Sequence, residues 1–438
     1  MRVRLRLSWG TIVKYSLAQF YFSEVFGGPI RYYFSKFGLV ELIYLPKVEI
    51  SLVTIMMLVT GKILSREFYV AFSLLLLYLM IGLLTADSQA QAPFAFWIMV
   101  PFLFSILAGR YLFASIYQYR HIFSWLYVIV LAGIVLNCVH NVPWAGSSFS
   151  FGGTHLANAR SWTTFGIVRI SGFGKASFSA ASQAVIFSIF ILHQLRSKTL
   201  RMVVWAVTGF AVVITTSKGV VLAYVVLTVY YWVMAAARRM PAMIGKPVLG
   251  LFNIAIISTM CVMIILPITT MFKNFHLDTG TVLKNLIFAS FQDRLDQMWP
   301  QALTKFHSGL AMVTGKGLGA MGTAEFFFDP LNYNSGDNLF VYVVVQYGFV
   351  LTFIFLALLL YKFVQTSHLK LWPRLDIVEA SLLIFLIVYG CFSNEFEDGV
   401  LSSAIGLCLA YRGNAARVHA KNQTVVADGP AGAARQMA

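Results

Sequence analysis

Apolar runs follow one another along this chain with only short polar breaks. Stretches at about 15–35, 38–60, 68–86, 94–113, 122–139, 177–195, 202–217, 219–236, 248–270, 337–361, 377–393 and 399–412 are each near the ~20 residues that cross a bilayer, the last one short. Of 438 residues, 59% are apolar and only 11% charged, with a mean hydropathy of +0.76. A soluble domain keeps roughly a quarter of its residues charged. A cytosolic enzyme, a disordered chain and a disulfide scaffold are therefore excluded. The pattern predicts an all-α, polytopic transmembrane helical bundle of about twelve spans. The first span is interrupted by Glu24, a Gly27-Gly28-Pro29 break and Arg31. Cys138, Cys261, Cys391 and Cys408 lie far apart in apolar stretches, without metal-ligand spacing, and read as small core residues.

The formal net charge is +16. In a soluble protein that balance suggests nucleic acid. In a membrane protein it marks cytoplasmic loops, and no nucleic-acid partner is expected. With the N-terminus inside, 21 of the 33 Lys and Arg fall in inner segments, and the short outer loops 87–93 and 394–399 hold none. This distribution predicts an even number of spans with both termini cytoplasmic. Arg2, Arg4 and Arg6 precede a span that continues into the body, so a cleavable leader is not expected. The transmembrane domain is placed at 1–412, with a disordered cytoplasmic tail at 413–438, rich in Ala and Gly. Two outer segments are long, 140–176 and 271–336, which points to work done on the outer face.

The first outer segment ends in Arg169-Ile170-Ser171-Gly172-Phe173-Gly174-Lys175, just before the sixth span. Arg169 reads either as a headgroup anchor or as an anion ligand among glycines that let backbone N–H groups approach. In the second, a helix over Leu283–Trp299 places Leu286, Ile287, Phe291, Leu295 and Met298 on one arc, opposite Asn285, Asp293, Asp296 and Gln297, and ends at Pro300. Arg294 falls inside the apolar arc, where a guanidinium needs an anion, either a ligand or an internal acid such as Glu24. Gly315–Gly322, GKGLGAMG, matches a dinucleotide fingerprint only by letters, since no strand–turn–helix unit surrounds it. Lys316 there is either a cationic nest for phosphate or part of a plain loop. Asp337, before the tenth span, reads as an N-cap or a proton acceptor. Glu24 and Arg31, about two turns apart, read by default as an ion pair. Trp144, Trp162 and Phe173 read either as surfaces for stacking on sugar faces or as members of an interfacial aromatic belt.

Together these features resemble the bacterial O-antigen polymerase and O-antigen ligase superfamily. The resemblance rests on the RISGFG stretch before a span, DRLDQMW in the large outer loop, and GKGLGAMG followed by Asp337-Asn338. The opening GGPIRYYFSKFGLVELIYLPK looks most like repeat-unit polymerases of the xanthan and acetan type. The resemblance implies a GT-C-like glycosyltransferase in the bacterial inner membrane, acting at its periplasmic face on glycan carried by undecaprenyl diphosphate. It implies two diphosphate-binding arginines, Arg169 and Arg294, with Asp337 as the candidate base or acceptor-positioning group. Lys316, Asn338, Arg31, Glu24 and Lys175 are the remaining substrate-binding candidates. The ligase branch carries a His-Asn pair where this chain has Asp337-Asn338, a departure that favours the polymerase branch. Arginines that neutralise a diphosphate leaving group need no metal, and no cofactor is expected. Membrane lipid and a chain-length-regulating copolymerase are the further partners implied. The alternatives are a polysaccharide flippase or other transporter, in which repeat symmetry and midplane charges are expected, and a ligase-type glycan transferase.

Overall fold

The computed structural model describes residues 8–60, 65–151, 154–164, 167–273, 275, 289–306, 309–366 and 374–410. The predicted tail at 413–438 lies outside the described residues, as do Asn285, Leu286 and Ile287. In chain order the helices are α1 (Trp9–Val25), α2 (Gly27–Lys36), α3 (Leu45–Val59), α4 (Arg66–Thr85), α5 (Gln91–Ile98), α6 (Val100–Ala114), α7 (Arg120–Val139), α8 (Ser177–Leu192), α9 (Lys198–Ile214), α10 (Lys218–Arg239) and α11 (Ala242–Thr269). They continue as α12 (Trp299–Leu303), α13 (Gly309–Thr314), α14 (Thr323–Phe328), α15 (Leu339–Thr366), α16 (Arg374–Gly390) and α17 (Gly399–Ala410).

The protein is a polytopic helical bundle. Seven helices among the described residues are long and apolar enough to cross a membrane: Val40–Val59, Arg66–Thr85, Gln91–Ala114, Ile116–Val139, Lys218–Arg239, Met243–Thr269 and Leu339–Gln365. The other five stretches expected as spans hold shorter helices: α1, α9 and α16 of 17 residues, α8 of 16 and α17 of 12. An apolar run alone does not separate a span from a helix enclosed by its neighbours. That ambiguity is sharpest at α8 and α17, where nearly every side chain is buried inside the protein.

The all-α expectation needs one correction. The first outer segment carries two small antiparallel hairpins, β1 (Ser148–Phe151) with β2 (Thr154–Ala157) and β3 (Thr163–Thr164) with β4 (Ile167–Val168). The sequence there, SFSF and THLA, alternates around a Gly pair, a strand pattern at a length too short to stand out.

At the centre α6 meets α17 through small residues. A Cβ on Gly109 would lie 2.6 Å from the Cβ of Ala410, so only glycine lets these backbones come so close. Buried hydroxyls satisfy one another across this junction. Ser403 Oγ lies 2.6 Å from Tyr21 Oη and 2.5 Å from Ser105 Oγ. The outer surfaces of α3, α4, α7, α9, α10 and α11 expose large apolar side chains, as a lipid solvent requires. Cys391 and Cys408 belong to the core, whereas Cys138 and Cys261 lie on that exposed surface, contrary to their reading as core residues.

Two breaks in helices shape the site. The expected first span divides at Phe26 into α1 and α2. Inside α15, Gly348 holds φ 74°, a left-handed kink that releases carbonyls from the helical ladder.

Candidate functional site

A cavity of 1590 Å³ lies among the described residues. Its wall comes from the end of α1, from α2, the start of α3, α5, the hairpin segment, the start of α10, the 290–301 and 323–337 stretches, and the 389–398 turn. All of these are stretches that the charge pattern assigns to the same side of the membrane. Seven cations, Arg31, Lys47, Arg160, Arg169, Lys175, Lys218 and Arg294, face five acids, Glu24, Asp293, Asp337, Glu397 and Asp398. The lining is thus net positive, although the outer loops 87–93 and 394–399 carry no basic residue.

Arg169 and Arg294, from separate outer segments, both line this cavity, and their charges are close enough to interact. Burial and then the positive charge of Arg294 hold the Arg169 guanidinium below its ordinary pKa. An anion bound between them relieves the second effect without discharging either group. Arg169 stands over Trp162, 5.7 Å from the ring centroid, and its N–H donates to the Trp162 carbonyl at 2.9 Å. β3 and β4 place the two residues opposite one another at the base of the hairpin.

Arg294 opens a π-helical turn, Arg294–Met298, that continues directly into α12. The chain therefore does not stop at Pro300, as expected. Pro300 sits in the first turn of α12, where its missing N–H is harmless. The amphipathic pattern is present in the described part, with Leu295 and Trp299 buried and Asp293, Asp296 and Gln297 exposed. Arg294 Nη2 donates to Asp337 Oδ2 at 3.1 Å and to the Phe392 carbonyl at 3.3 Å, and Nη1 to the Ser290 carbonyl at 3.4 Å. The acid facing Arg294 is thus Asp337, not Glu24. Arg294 Nε is buried with no hydrogen-bond partner among the described residues.

Asp337 is released for this pairing because Asn338 takes the capping role. Asn338 Oδ1 accepts from the N–H groups of Phe340 at 2.8 Å and Val341 at 3.2 Å, and Nδ2 donates to the carbonyls of Met263 and Cys391. Asn338 is 1% exposed and does not line the cavity, which removes it from the substrate-binding set. Asn338→Ala is expected to destabilise the protein by about 1–3 kcal/mol, from the lost cap and orphaned carbonyls, read as a lower Tm in detergent.

Lys316 is the second expected ligand placed elsewhere. It borders a separate small pocket with Asp87, Gln91 and Glu325. The kink in α15 leaves carbonyls in need of donors. Lys316 N–H donates to Val345 O and Gly317 N–H to Gln346 O, both at 2.9 Å, and Tyr78 Oη donates to Tyr347 O at 2.9 Å. With those N–H groups engaged, the stretch latches α15 to α4 and offers no nest of free donors. The RISGFG backbone is likewise engaged. Ser171 and Gly172 donate to Asn137 Oδ1 at 3.2 and 3.1 Å. Phe173 stacks on Phe26 and meets Trp144 at a tilt, and neither Phe173 nor Trp144 lines the cavity, which leaves Trp162 of the three aromatic candidates.

Glu24 does not pair with Arg31, because the break at Phe26 interrupts the helix on which that spacing was read. Lys175 takes Glu24 at 3.2 Å and Asp398 at 3.6 Å. Burial works against the Lys175 ammonium, but the two carboxylates outweigh it and leave the pKa raised. Asp398 also accepts from Ser179 Oγ at 2.7 Å. Glu397 accepts from Thr323 Oγ1 at 2.7 Å, and burial pushes its carboxyl up. Arg31 Nη1 donates to the Ala157 carbonyl at 3.4 Å.

Lys47, Arg160 and Lys218 are cavity residues that the sequence reading passed over. Signals for two of them were present. Lys47 is a charge inside an apolar run, and Lys218 a lone cation in an outer turn. That turn contains Thr216 at φ 56°, the one non-glycine residue with positive φ among those described, and it delivers Lys218 towards Arg169 and Arg294. No family model, curated protein or solved structure matches the chain.

Proposed function

We propose that this protein polymerises exopolysaccharide repeat units at the periplasmic face of a bacterial inner membrane. On this reading it is a GT-C-like bundle of about twelve crossings with both termini cytoplasmic. It moves the growing glycan from undecaprenyl diphosphate onto the next lipid-linked unit. The observation that carries the reading is the meeting of Arg169 and Arg294, from two separate outer segments, in one cavity wall beside Asp337. The likeness of RISGFG, DRLDQMW and the segment before α15 to O-antigen polymerases supports it.

A hydroxyl of the acceptor glycan forms the new C–O bond at the anomeric carbon of the donor. The anomeric carbon–phosphate oxygen bond breaks, and its electron pair leaves on the lipid diphosphate. Arg169 and Arg294 stabilise the charge growing on that oxygen, where a low-dielectric wall makes fixed cations effective. The planar guanidinium fork matches phosphate oxygens. Lys218 adds a third positive charge beside them. Asp337 Oδ1 or Oδ2 takes the hydroxyl proton while Arg294 fixes its orientation. Trp162, 37% exposed, offers a face to a sugar ring.

The direct test is reconstitution of the purified protein in vesicles with lipid-diphosphate-linked repeat units. A ladder of polymer on a gel is the expected product. Movement of the lipid-linked unit across the bilayer without a ladder is the flippase outcome and overturns the proposal. Asp337→Asn and Asp337→Ala are both expected to lower turnover by about 10²–10⁴-fold, the range of a lost general base. Full turnover in the Asn form assigns Asp337 to holding Arg294 alone.

A further inference from the structure

The cavity contains a second group of cations with nothing in the first to occupy them. Arg31, from α2, and Lys47, from α3, each feel the Glu24 carboxylate first; behind it, Lys47 feels the positive charges of Lys175 and Arg31, and Arg31 that of Arg160 from the hairpin segment. Among the described residues no acid comes within salt-bridge range of any of the three. The nearby carboxylates are held elsewhere. Glu24 and Asp398 are on Lys175, and Glu397 is on Thr323. Like charges gathered in a partly buried wall cost free energy until an anion lies between them.

The surroundings indicate how that anion arrives. Lys47 stands on α3 among Leu45, Val48 and Leu52, which are exposed on the apolar surface of the bundle. The Arg169–Arg294–Lys218 group has its own apolar border in Leu222 and Val225 of α10, which line the cavity and are exposed as well. One cavity thus has two cationic regions, each next to a membrane-facing helix.

We infer that Arg31, Lys47 and Arg160 form a second anionic-headgroup subsite, which holds the diphosphate of the lipid-linked acceptor while Arg169 and Arg294 hold that of the donor. The inference rests on the polymerase reading, in which two lipid diphosphates occupy the protein at once. The acceptor is bound through its carrier and is not consumed at that end. Its diphosphate remains intact, and its far hydroxyl reaches the donor. Two subsites also explain how the protein tells an incoming lipid-linked unit from free glycan in the periplasm.

The test uses the full-length protein in neutral-lipid vesicles, with a donor supplied at saturation. Two acceptors are compared, the lipid-diphosphate-linked repeat unit and the same oligosaccharide released from its carrier. The double variant Lys47→Gln/Arg160→Gln is expected to raise the KM for the lipid-linked acceptor at least tenfold and to leave the KM for the released oligosaccharide where it was. Lys47→Arg/Arg160→Lys, which keeps both charges, is expected to retain the low KM and so separates charge from folding. An equal rise for both acceptors makes this a glycan contact and overturns the subsite, as does an unchanged KM for the lipid-linked acceptor. A third arm adds phosphatidylglycerol to the vesicles. If it raises the wild-type KM to the variant's value, the cations hold bulk anionic lipid and the acceptor assignment falls. Absence of polymer from the wild-type protein is a different failure, that of the polymerase reading itself.

Discussion

Arg294→Ala and Arg169→Ala are each expected to abolish polymer while protein level and membrane insertion stay normal. Loss of one preorganised donor to a developing oxyanion typically costs about 10²–10³ in turnover. Here each residue supplies a full charge and a fork of donors in a partly buried cavity wall, so the effect belongs at or above the top of that range. The two arginines are held differently, which gives the pair a diagnostic value. Arg294 is tied to Asp337, Phe392 O and Ser290 O. Arg169 stands over Trp162 on a short hairpin. A merely structural role predicts that loss of product follows a drop in Tm in each variant. A shared diphosphate predicts equal loss of product in both. The double variant should then be scarcely worse than either single, because groups acting on one transition state are not additive. Arg→Lys is expected to rescue poorly at both positions, since an ammonium lacks the planar fork. Wild-type chain length in either alanine variant removes the diphosphate role.

Much of the bundle was legible because apolar runs are a strong signal, and the positions of Arg169 and Arg294 were legible because a charge set in a greasy context demands a reason. What the sequence concealed were facts about partners. Spacing along one helix pointed to Glu24 with Arg31, but a single break at Phe26 gave Glu24 to Lys175, 151 positions away. Asp337 and Asn338 are neighbours with equal claim to the cap. Only the packing of α11 and the 391 turn, whose carbonyls take both Asn338 amide hydrogens, decided which one faces the cavity. Short helices such as α17 fit a span and an enclosed core helix alike, because hydropathy measures what a helix avoids, and both lipid and a protein interior satisfy that. The glycines of GKGLGAMG were noticed, but their cause lay at Gly348, in a helix far along the chain.

The contact between Gly317 and α4 carries the second large effect. Gly317→Ala is expected to collapse the outer segment, whereas Lys316→Ala leaves polymer formation near wild type. Gly317 holds φ 83°, and a Cβ there would collide with the backbone of Gly82 in α4. A left-handed alanine costs about 1–2 kcal/mol, and forcing an atom into a closed contact adds roughly 1–3 kcal/mol more. Neither side can yield, because the obstacle is backbone on a span and the loop is pinned by Lys316 N–H and Gly317 N–H to the kinked α15, and by Leu318 N–H to Tyr78 O at 2.9 Å. Undocking leaves the carbonyls of Val345 and Gln346 without donors inside the bundle, a further penalty in a place water does not reach. Limited proteolysis from the periplasmic side is the measurement. Cleavage between Ala289 and Asn334 should be rapid in Gly317→Ala and slow in both the wild type and Lys316→Ala. A phosphate nest makes the opposite forecast, with Lys316→Ala inactive and Gly317→Ala folded but weak. Slow cleavage in Gly317→Ala would return Lys316 to the list of substrate ligands. Rapid cleavage makes this loop the clamp that keeps Arg294 and Asp337 in one wall, since both sit on the segment it anchors.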